Sequence, residues 1–374
     1  MKTISTITQS CVPGGVYRVA LTETYLLNKI NHYNANYYSI IYSKNHWDLF
    51  DELSIPVQFL GLQNEMLSRV FGDIFQSRKI TKDLKNSELI IAHNNPSAKI
   101  ALKFKKKYGI PFLFYLHDSL SYPILGSITH TSSLICPQIL EKIEKKFIAE
   151  ASAVVVNSKI TFEKVIKTHN LNTQEANKIK IIYPTLNKPL TWKEMPENRK
   201  KYMLIVGRID HEAFYYLHEI IKSIKIPLVI AGFGHPKNPG FHKIMKLYSP
   251  LIKKKMVKVI LSPSDEKLTE LYKNAFLFLY PGHENFNMSA MEAISTACPI
   301  LIADTSGILE IFTEDLKRKC SLPKENTRLW VERIEKIIKN KELCRLGKEC
   351  WEVSLKHSTD EHMKKLLEVI REIK

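Results

Sequence analysis

Two glutamates eight residues apart, Glu284 and Glu292, stand in the segment Tyr-Pro-Gly-His-Glu-Asn-Phe-Asn-Met-Ser-Ala-Met-Glu-Ala-Ile at 280–294. The apolar run Ala275–Tyr280 precedes the first, and a helix-like run, Ser289–Thr296, holds the second. The pattern predicts strand, turn, helix, with one carboxylate in the turn and one a turn into the helix. The first N–H groups of a helix lack intrahelical partners, so a helix start after a strand end is a ready anion site. Carboxylates around an anion suit the hydroxyls of a ribose or a sugar, and the constellation predicts a nucleotide-sugar pocket. Two plainer readings stand beside it. Ser289-x-x-Glu292 also fits a capping box, with Glu292 turned back on the backbone. Glu284 by itself reads as a solvated loop charge.

Other residues fall where strands should end. Pro13-Gly14-Gly15-Val16 follows the first apolar run and opens a helix. Adjacent glycines let backbone N–H groups approach a diphosphate unhindered, although an ordinary Gly-rich turn has the same sequence. Leu204-Ile205-Val206-Gly207-Arg208 ends in a guanidinium suited to a pyrophosphate, or to a surface salt bridge. Gly232 lies in Ala231-Gly232-Phe233-Gly234, a second glycine turn. His117-Asp118 ends Phe112–Leu116, where a histidine is more often structural. Asn157-Ser158 after Val154–Val156 is a ligand contact or a helix N-cap.

In this order along the chain the motifs resemble the retaining glycosyltransferases of the GT-B fold, family four. That family carries Pro, two or three residues, Glu, then Gly-Phe-Gly-Leu, three residues and Glu-Ala. Here Pro281, Glu284, Phe286, Met288 in place of Leu, Glu292 and Ala293 match, and Asn285 and Asn287 replace the two glycines. Asn is the non-glycine residue best able to take positive φ, so the replacement is mild. Gly207-Arg208 and Ser306-Gly307-Ile308-Leu309-Glu310 also match the family's pattern. The resemblance implies transfer of a sugar from a nucleoside-diphosphate sugar to an acceptor hydroxyl with retention, by departure and attack on one face. It implies that Glu284 holds sugar hydroxyls, Arg208 and Gly15 meet the leaving diphosphate, and His117 faces the sugar. Gly232, Asn285, Phe286, Asn287, Met288 and Glu292 would line the donor, with Glu292 on the ribose. A family lysine about five residues after Arg208 is missing; Ala213 stands near its place. That departure keeps open a second expectation, a catalytically degenerate GT-B protein that binds sugar or nucleotide or serves as a scaffold.

Composition bounds the partners. The 374 residues suit two domains, and the formal net charge is +17. The charge is spread, with 22 Lys and Arg against 14 Asp and Glu over 1–185 and 33 against 24 over 186–374. An evenly basic surface favours anionic partners such as nucleotide diphosphates or lipid headgroups. No nucleic-acid module is legible, so nucleic acid is not expected as a partner. No Asp-x-Asp occurs, so a diphosphate-bridging metal is not expected, and the only cofactor-like molecule foreseen is a UDP-, GDP- or ADP-sugar. The six cysteines are scattered without a Cys-x-x-Cys pair, which predicts a reducing compartment. The N-terminus is too polar for a signal-peptide core, and no apolar run approaches the ~20 residues of a membrane span. The expected location is the cytoplasm. Lysine-rich amphipathic stretches, Lys99–Lys107 and Glu141–Phe147, add peripheral binding to an anionic membrane face, or are simply solvated. The expected acceptor is a glycan or a lipid-linked molecule.

Apolar β-branched runs alternate with amphipathic stretches from end to end. Predicted strands are Thr3–Ile7, Tyr37–Tyr42, Val57–Leu60, Leu89–Ala92, Phe112–Leu116, Ala153–Val156 and Ile179–Ile182. They continue with Met203–Val206, Pro227–Ala231, Val257–Leu261, Phe276–Tyr280 and Ile300–Ile302. The alternation predicts an α/β protein with parallel sheets covered on both faces. With the resemblance it becomes GT-B, two doubly wound Rossmann-like domains facing across a cleft. Prolines 184, 189 and 196 mark the boundary, giving an acceptor-side domain over 1–186 and a donor domain over 187–357. A final helix over 358–374 is expected to return to the first domain. The acceptor is expected to depend on the loops Gly61–Ser77 and Tyr122–Pro137.

Overall fold

The computed structural model describes residues 1–44, 47–64, 67–68, 74, 78–119, 137–186, 202–234 and 238–373. Most of the two loops expected to choose the acceptor, and most of the proline-marked boundary, lie outside them. The chain divides into two compact units: Met1–Pro184 with Asp360–Lys374, and Thr185–Thr359.

The first unit is built on seven parallel strands in the order β3-β2-β1-β4-β5-β6-β7. They are β1 (Lys2–Thr8), β2 (Tyr33–Ser39), β3 (Val57–Phe59), β4 (Leu89–His93), β5 (Phe112–Leu116), β6 (Ala153–Val156) and β7 (Ile179–Ile181). β4, β5 and β6 are buried along their whole length, which is why they read as unbroken apolar runs. Helices cover the sheet, among them α1 (Gly15–Asn28), α2 (Arg78–Lys85), α3 (Asn94–Tyr108), α4 (Pro137–Glu150) and α5 (Lys159–His169). The terminal helix Thr359–Glu372 buries His362, Met363, Leu366, Val369 and Ile370.

The second unit holds six parallel strands in the order β10-β9-β8-β11-β12-β13. They are β8 (Met203–Arg208), β9 (Leu228–Phe233), β10 (Val257–Leu261), β11 (Leu277–Tyr280), β12 (Ile300–Ala303) and β13 (Ser321–Leu322). Its helices include α6 (Ala213–Lys222), α7 (Pro239–Lys253), α8 (Asp265–Asn274) and α9 (Met288–Ser295). Both sheets are doubly wound and parallel, as the alternation predicts. Each reverses its strand order once, between β1 and β4 and between β8 and β11. Ligands of such sheets bind beyond the carboxyl ends of the strands at that reversal.

Three boundaries differ from the sequence reading. β2 runs Tyr33–Ser39 rather than 37–42, because it pairs with β1 from Lys2↔Tyr33 to Thr8↔Ser39. The ladder satisfies the backbone of the polar stretch Tyr33–Asn36, which no apolar pattern announces. α3 begins at Asn94, five residues ahead of the lysine-rich amphipathic stretch Lys99–Lys107. β13 is only two residues long and held by β12, too short to leave a pattern.

Candidate functional site

The second unit carries most of the predicted residues at its strand-order reversal. β8 ends in Gly207-Arg208, and the neighbouring β11 ends in Tyr280. The two ends touch: a Cβ on Gly207 would lie 3.3 Å from Cε2 of Tyr280. The Tyr280 phenol donates to Glu284 Oε1 at 2.6 Å. Burial first, and the Glu284 carboxylate second, hold that phenol well above its usual range, so it remains a donor. The Glu284 backbone is fixed as well, since Gly307 N–H donates to its carbonyl at 2.9 Å and the residue bridges Ser306 in parallel fashion. The Gly-x-x-Glu turn foreseen at 307–310 is a short 3-10 helix, Gly307–Ile311, lying against Glu284.

His211 completes the surroundings of Glu284. Its Nδ1 accepts from Ala213 N–H at 3.2 Å, which places the ring hydrogen of a neutral imidazole on Nε2. Nε2 lies 3.7 Å from Glu284 Oε1. Gly282 fills the tight space between His211 and Ala213, where a Cβ would come 3.0 Å from His211 Cε1 and 2.7 Å from Ala213 Cβ. Ala213 is fully buried, so the place of the family lysine holds a small apolar contact. A different lysine, Lys324, reaches Glu212 Oε1 at 3.1 Å. Glu212 also accepts from His283 N–H at 3.0 Å. Burial pushes the Glu212 carboxyl up, but the His283 N–H and Lys324 outweigh it and leave the group below its ordinary range. Tyr280, Glu212 and Lys324 carry no sequence signal of this role; their partners only meet in the fold.

Arg208 is 70% exposed, with its Nε donating to Asp210 Oδ1 at 2.7 Å. Asp210 is braced by Asn238 Nδ2 at 2.6 Å. Gly232, at the end of β9 beside Gly207, has φ 145, and a Cβ there would overlap the Gly207 carbonyl oxygen. Only glycine fits that approach.

The helix after Glu284 starts differently from the capping-box reading. α9 begins at Met288 with Asn287 as N-cap, and Asn287 Oδ1 accepts from Ala290 N–H at 2.9 Å. Ser289 lies inside the helix, and Glu292 accepts from the Tyr272 phenol at 2.9 Å. The capping box is therefore absent, and Glu292 is held by α8 instead. Asn287 takes the left-handed conformation, φ 69, as the replacement of glycine implies, while Asn285 is not among the positive-φ residues. Phe286 is buried beneath this turn, and Met288 is half-buried at the helix start. Glu284 and Glu292 thus share one strand–turn–helix passage but have separate partners.

The first unit carries the other two predicted residues. Gly15 opens α1 behind Gly14, and this helix start has neither a side-chain cap nor an acidic residue in its first turn, as suits an anion. His117 follows β5 and is buried. Its N–H donates to Asn94 Oδ1 at 3.0 Å, its carbonyl accepts from Asn157 Nδ2 at 3.1 Å, and its Nε2 lies 2.9 Å from His93 Nδ1. Ser158 caps α5, accepting from Thr161 N–H at 3.0 Å.

Comparison with known proteins bears on the family and the fold. The Glycosyltransferase Family 4 model matches residues 22–187, and the Glycosyl transferases group 1 model matches residues 189–349. An uncharacterized glycosyltransferase of Methanocaldococcus jannaschii is 27% identical over 194 residues, 47% of this chain and 48% of that protein. The match thus spans about half the length of that curated relative. Among solved structures, Anabaena HepE in complex with UDP and glucose superposes with a TM-score of 0.78 at 14% identity, covering 99% of this chain and 100% of that one. Sucrose-phosphate synthase from Thermosynechococcus elongatus does so with a TM-score of 0.74 at 15% identity, covering 99% and 98%. Two family models end to end, on two doubly wound units that share the fold of these enzymes, show that the chain belongs to the family four, group 1 glycosyltransferases of the GT-B fold.

Proposed function

We propose that the protein transfers a sugar from a nucleoside-diphosphate sugar to an acceptor hydroxyl, with retention at the anomeric carbon. The observation that carries this reading is the brace on Glu284. Beside the reversal of the second sheet, its carboxylate is held by Tyr280 and faced by His211, while its backbone is tied to Gly307. A carboxylate so fixed can accept from sugar hydroxyls without reorganising. Glu292, steadied by Tyr272, takes the ribose, and the turn Asn285–Met288 with Gly232 gives the donor its backbone contacts.

Arg208 meets the leaving diphosphate, together with N–H groups at the start of α9; in the first unit, the start of α1 at Gly15 is suited to phosphate as well. Developing charge on that group is where electrostatic help acts most strongly. His117 contacts the sugar. Departure and attack proceed on the same face, the route that the resemblance to the retaining family implies. Phosphate charge is met by these groups, and no divalent metal is required; activity is expected to survive a chelator.

The donor is a UDP-, GDP- or ADP-sugar. Support for a uridine nucleotide comes from HepE, whose structures carry UDP and UDP-glucose. The acceptor is a glycan or a lipid-linked molecule, in glycan, glycolipid or polysaccharide assembly at the cytoplasmic face of a membrane. Among the described residues no helix is long and apolar enough to cross one.

Nucleotide-sugar hydrolysis and transfer, measured for Glu284→Ala and Arg208→Ala, test the mechanism; both are expected to lose most activity, and unchanged rates in both would remove it. The buried Ala213 supports a second reading, a nucleotide-binding or scaffold protein without turnover. Calorimetry with UDP, GDP and ADP divides that reading: nucleotide binding without turnover favours the silent binding protein, and no nucleotide binding favours the scaffold.

A further inference from the structure

Four buried ionisable side chains of the first unit form one line. They are His117, His93 at the end of β4, Glu23 on α1 and His362 on the terminal helix. His117 Nε2 is 2.9 Å from His93 Nδ1. His93 Nε2 is 3.7 Å from Glu23 Oε2. Glu23 Oε1 is 2.9 Å from His362 Nε2, and His362 Nδ1 is 2.8 Å from the Tyr183 carbonyl oxygen.

The partners decide where the hydrogens sit. A carbonyl oxygen only accepts, so His362 Nδ1 bears a hydrogen. The remaining proton of the His362–Glu23 pair then lies between Nε2 and Oε1, on whichever side it rests. Glu23 Oε2 is bare in either case. It faces His93 Nε2 at a distance too long for an ordinary hydrogen bond and too short to admit a water. A lone pair on that nitrogen would meet negative oxygen in a dry interior, whereas an N–H meets it favourably. His93 therefore carries its hydrogen on Nε2 and accepts at Nδ1. His117 Nε2 must donate there, which makes Nδ1 of a neutral His117 an acceptor.

We propose that Glu23, His93 and His362 are positioning residues that fix the tautomer of His117, so that it meets the transferred sugar as a hydrogen-bond acceptor. The role rests on the reading that His117 contacts the sugar. Burial first, and the His362 charge second, lower His117 to about 3; burial first, and His117 second, hold His93 well below its ordinary value. Both rings stay neutral at neutral pH. Tyr115, whose ring lies 4.4 Å from His117 and 5.1 Å from His93, stacks on both, and burial keeps its phenol protonated. An acceptor nitrogen selects a sugar hydroxyl that donates; the diphosphate is left to Arg208.

Selective 15N-histidine labelling of the full chain, assigned by single substitutions, reads the tautomers by NMR at pH 7. His93 and His117 are both expected to carry hydrogen on Nε2. Glu23→Gln should retain this, because its amide can donate to His362 and turn its oxygen to His93. Glu23→Met should scramble it, and kcat for transfer should fall about tenfold with donor KM little changed, one hydrogen bond being misplaced. A His117 protonated on Nδ1 in the wild-type chain overturns the proposal, as does Glu23→Met with wild-type tautomers. If Glu23→Met does not fold, the wild-type spectrum alone decides. The expected tautomers together with His117→Ala at wild-type rate would overturn the sugar contact, and the positioning role with it, while leaving the proton wiring in place.

Discussion

Glu284 depends on residues that no spacing rule ties to it. Tyr280 is four positions away and donates to it; His211 reaches it from a different strand end. Replacing Tyr280 by Phe removes the donor and keeps the ring that packs on Gly207. The expected result is a fall of about tenfold in kcat/KM for nucleotide-sugar turnover with the fold intact, as for one hydrogen bond to a charged group. A wild-type rate would mean that Glu284 needs no brace. The acids themselves, Arg208 and the glycine turns were legible because a family's motif spacing carries them. The brace was not, because it depends on contacts such as His211 with Glu284 and Gly307 with Glu284, which are 73 (284 − 211) and 23 (307 − 284) positions apart. Glu23 and His93 were silent for the same reason. The missing lysine at position 213 was legible, yet the sequence could not tell that a Gly282–Ala213 contact fills the space.

At the scale of elements, strand ends place the chemistry, and their geometry is tight. Gly232→Ala puts a methyl group onto the Gly207 carbonyl while also requiring φ 145 of alanine. The strain acts on the paired ends of β8 and β9, so a loss of roughly 3 kcal/mol or more is expected in denaturant unfolding, at the upper end of backbone strain costs. Full stability would show that the strand ends relax freely. Asn287 gives a finer test of the helix start. Asn287→Ala loses both the cap and an easy left-handed conformation, about 1–2 kcal/mol, while Asn287→Gly should cost only a few tenths. Equal losses in the two would assign the effect elsewhere. Most strands were readable as apolar runs because a parallel sheet buries both faces. Those that were shifted or missed, β2 and β13, are held by their neighbours' ladders rather than by their own pattern.

The whole molecule answers to its charge and to its buried histidines. His117, lowered to about 3, binds no proton in the folded state until far below the ordinary 6.5, whereas the unfolded chain takes one up near that value. Stability is therefore expected to fall as pH drops from 6.5 towards 3, by up to about 1.4 kcal/mol per pH unit for each histidine kept neutral. Glu23, raised by burial, acts in the opposite sense above its ordinary value, so the measured slope is the histidines' less that of Glu23. Urea unfolding at several pH values checks this, and a flat profile would contradict the buried neutral rings. The surface charge makes a separate demand. Lys79, Lys82 and Lys85 on α2, with Lys103, Lys106 and Lys107 on α3, are exposed, and the two helices belong to one unit of a chain carrying +17. Each such cation near anionic headgroups contributes about 1 kcal/mol, so replacing Lys103, Lys106 and Lys107 by Gln should weaken vesicle binding roughly a hundredfold. Added salt should weaken it too, because the contact is screened over a distance of about 10 Å at 0.1 M. Sedimentation with vesicles of graded anionic content distinguishes this from a merely solvated face. Binding that ignores the anionic fraction would leave the lysines as solubilising charge.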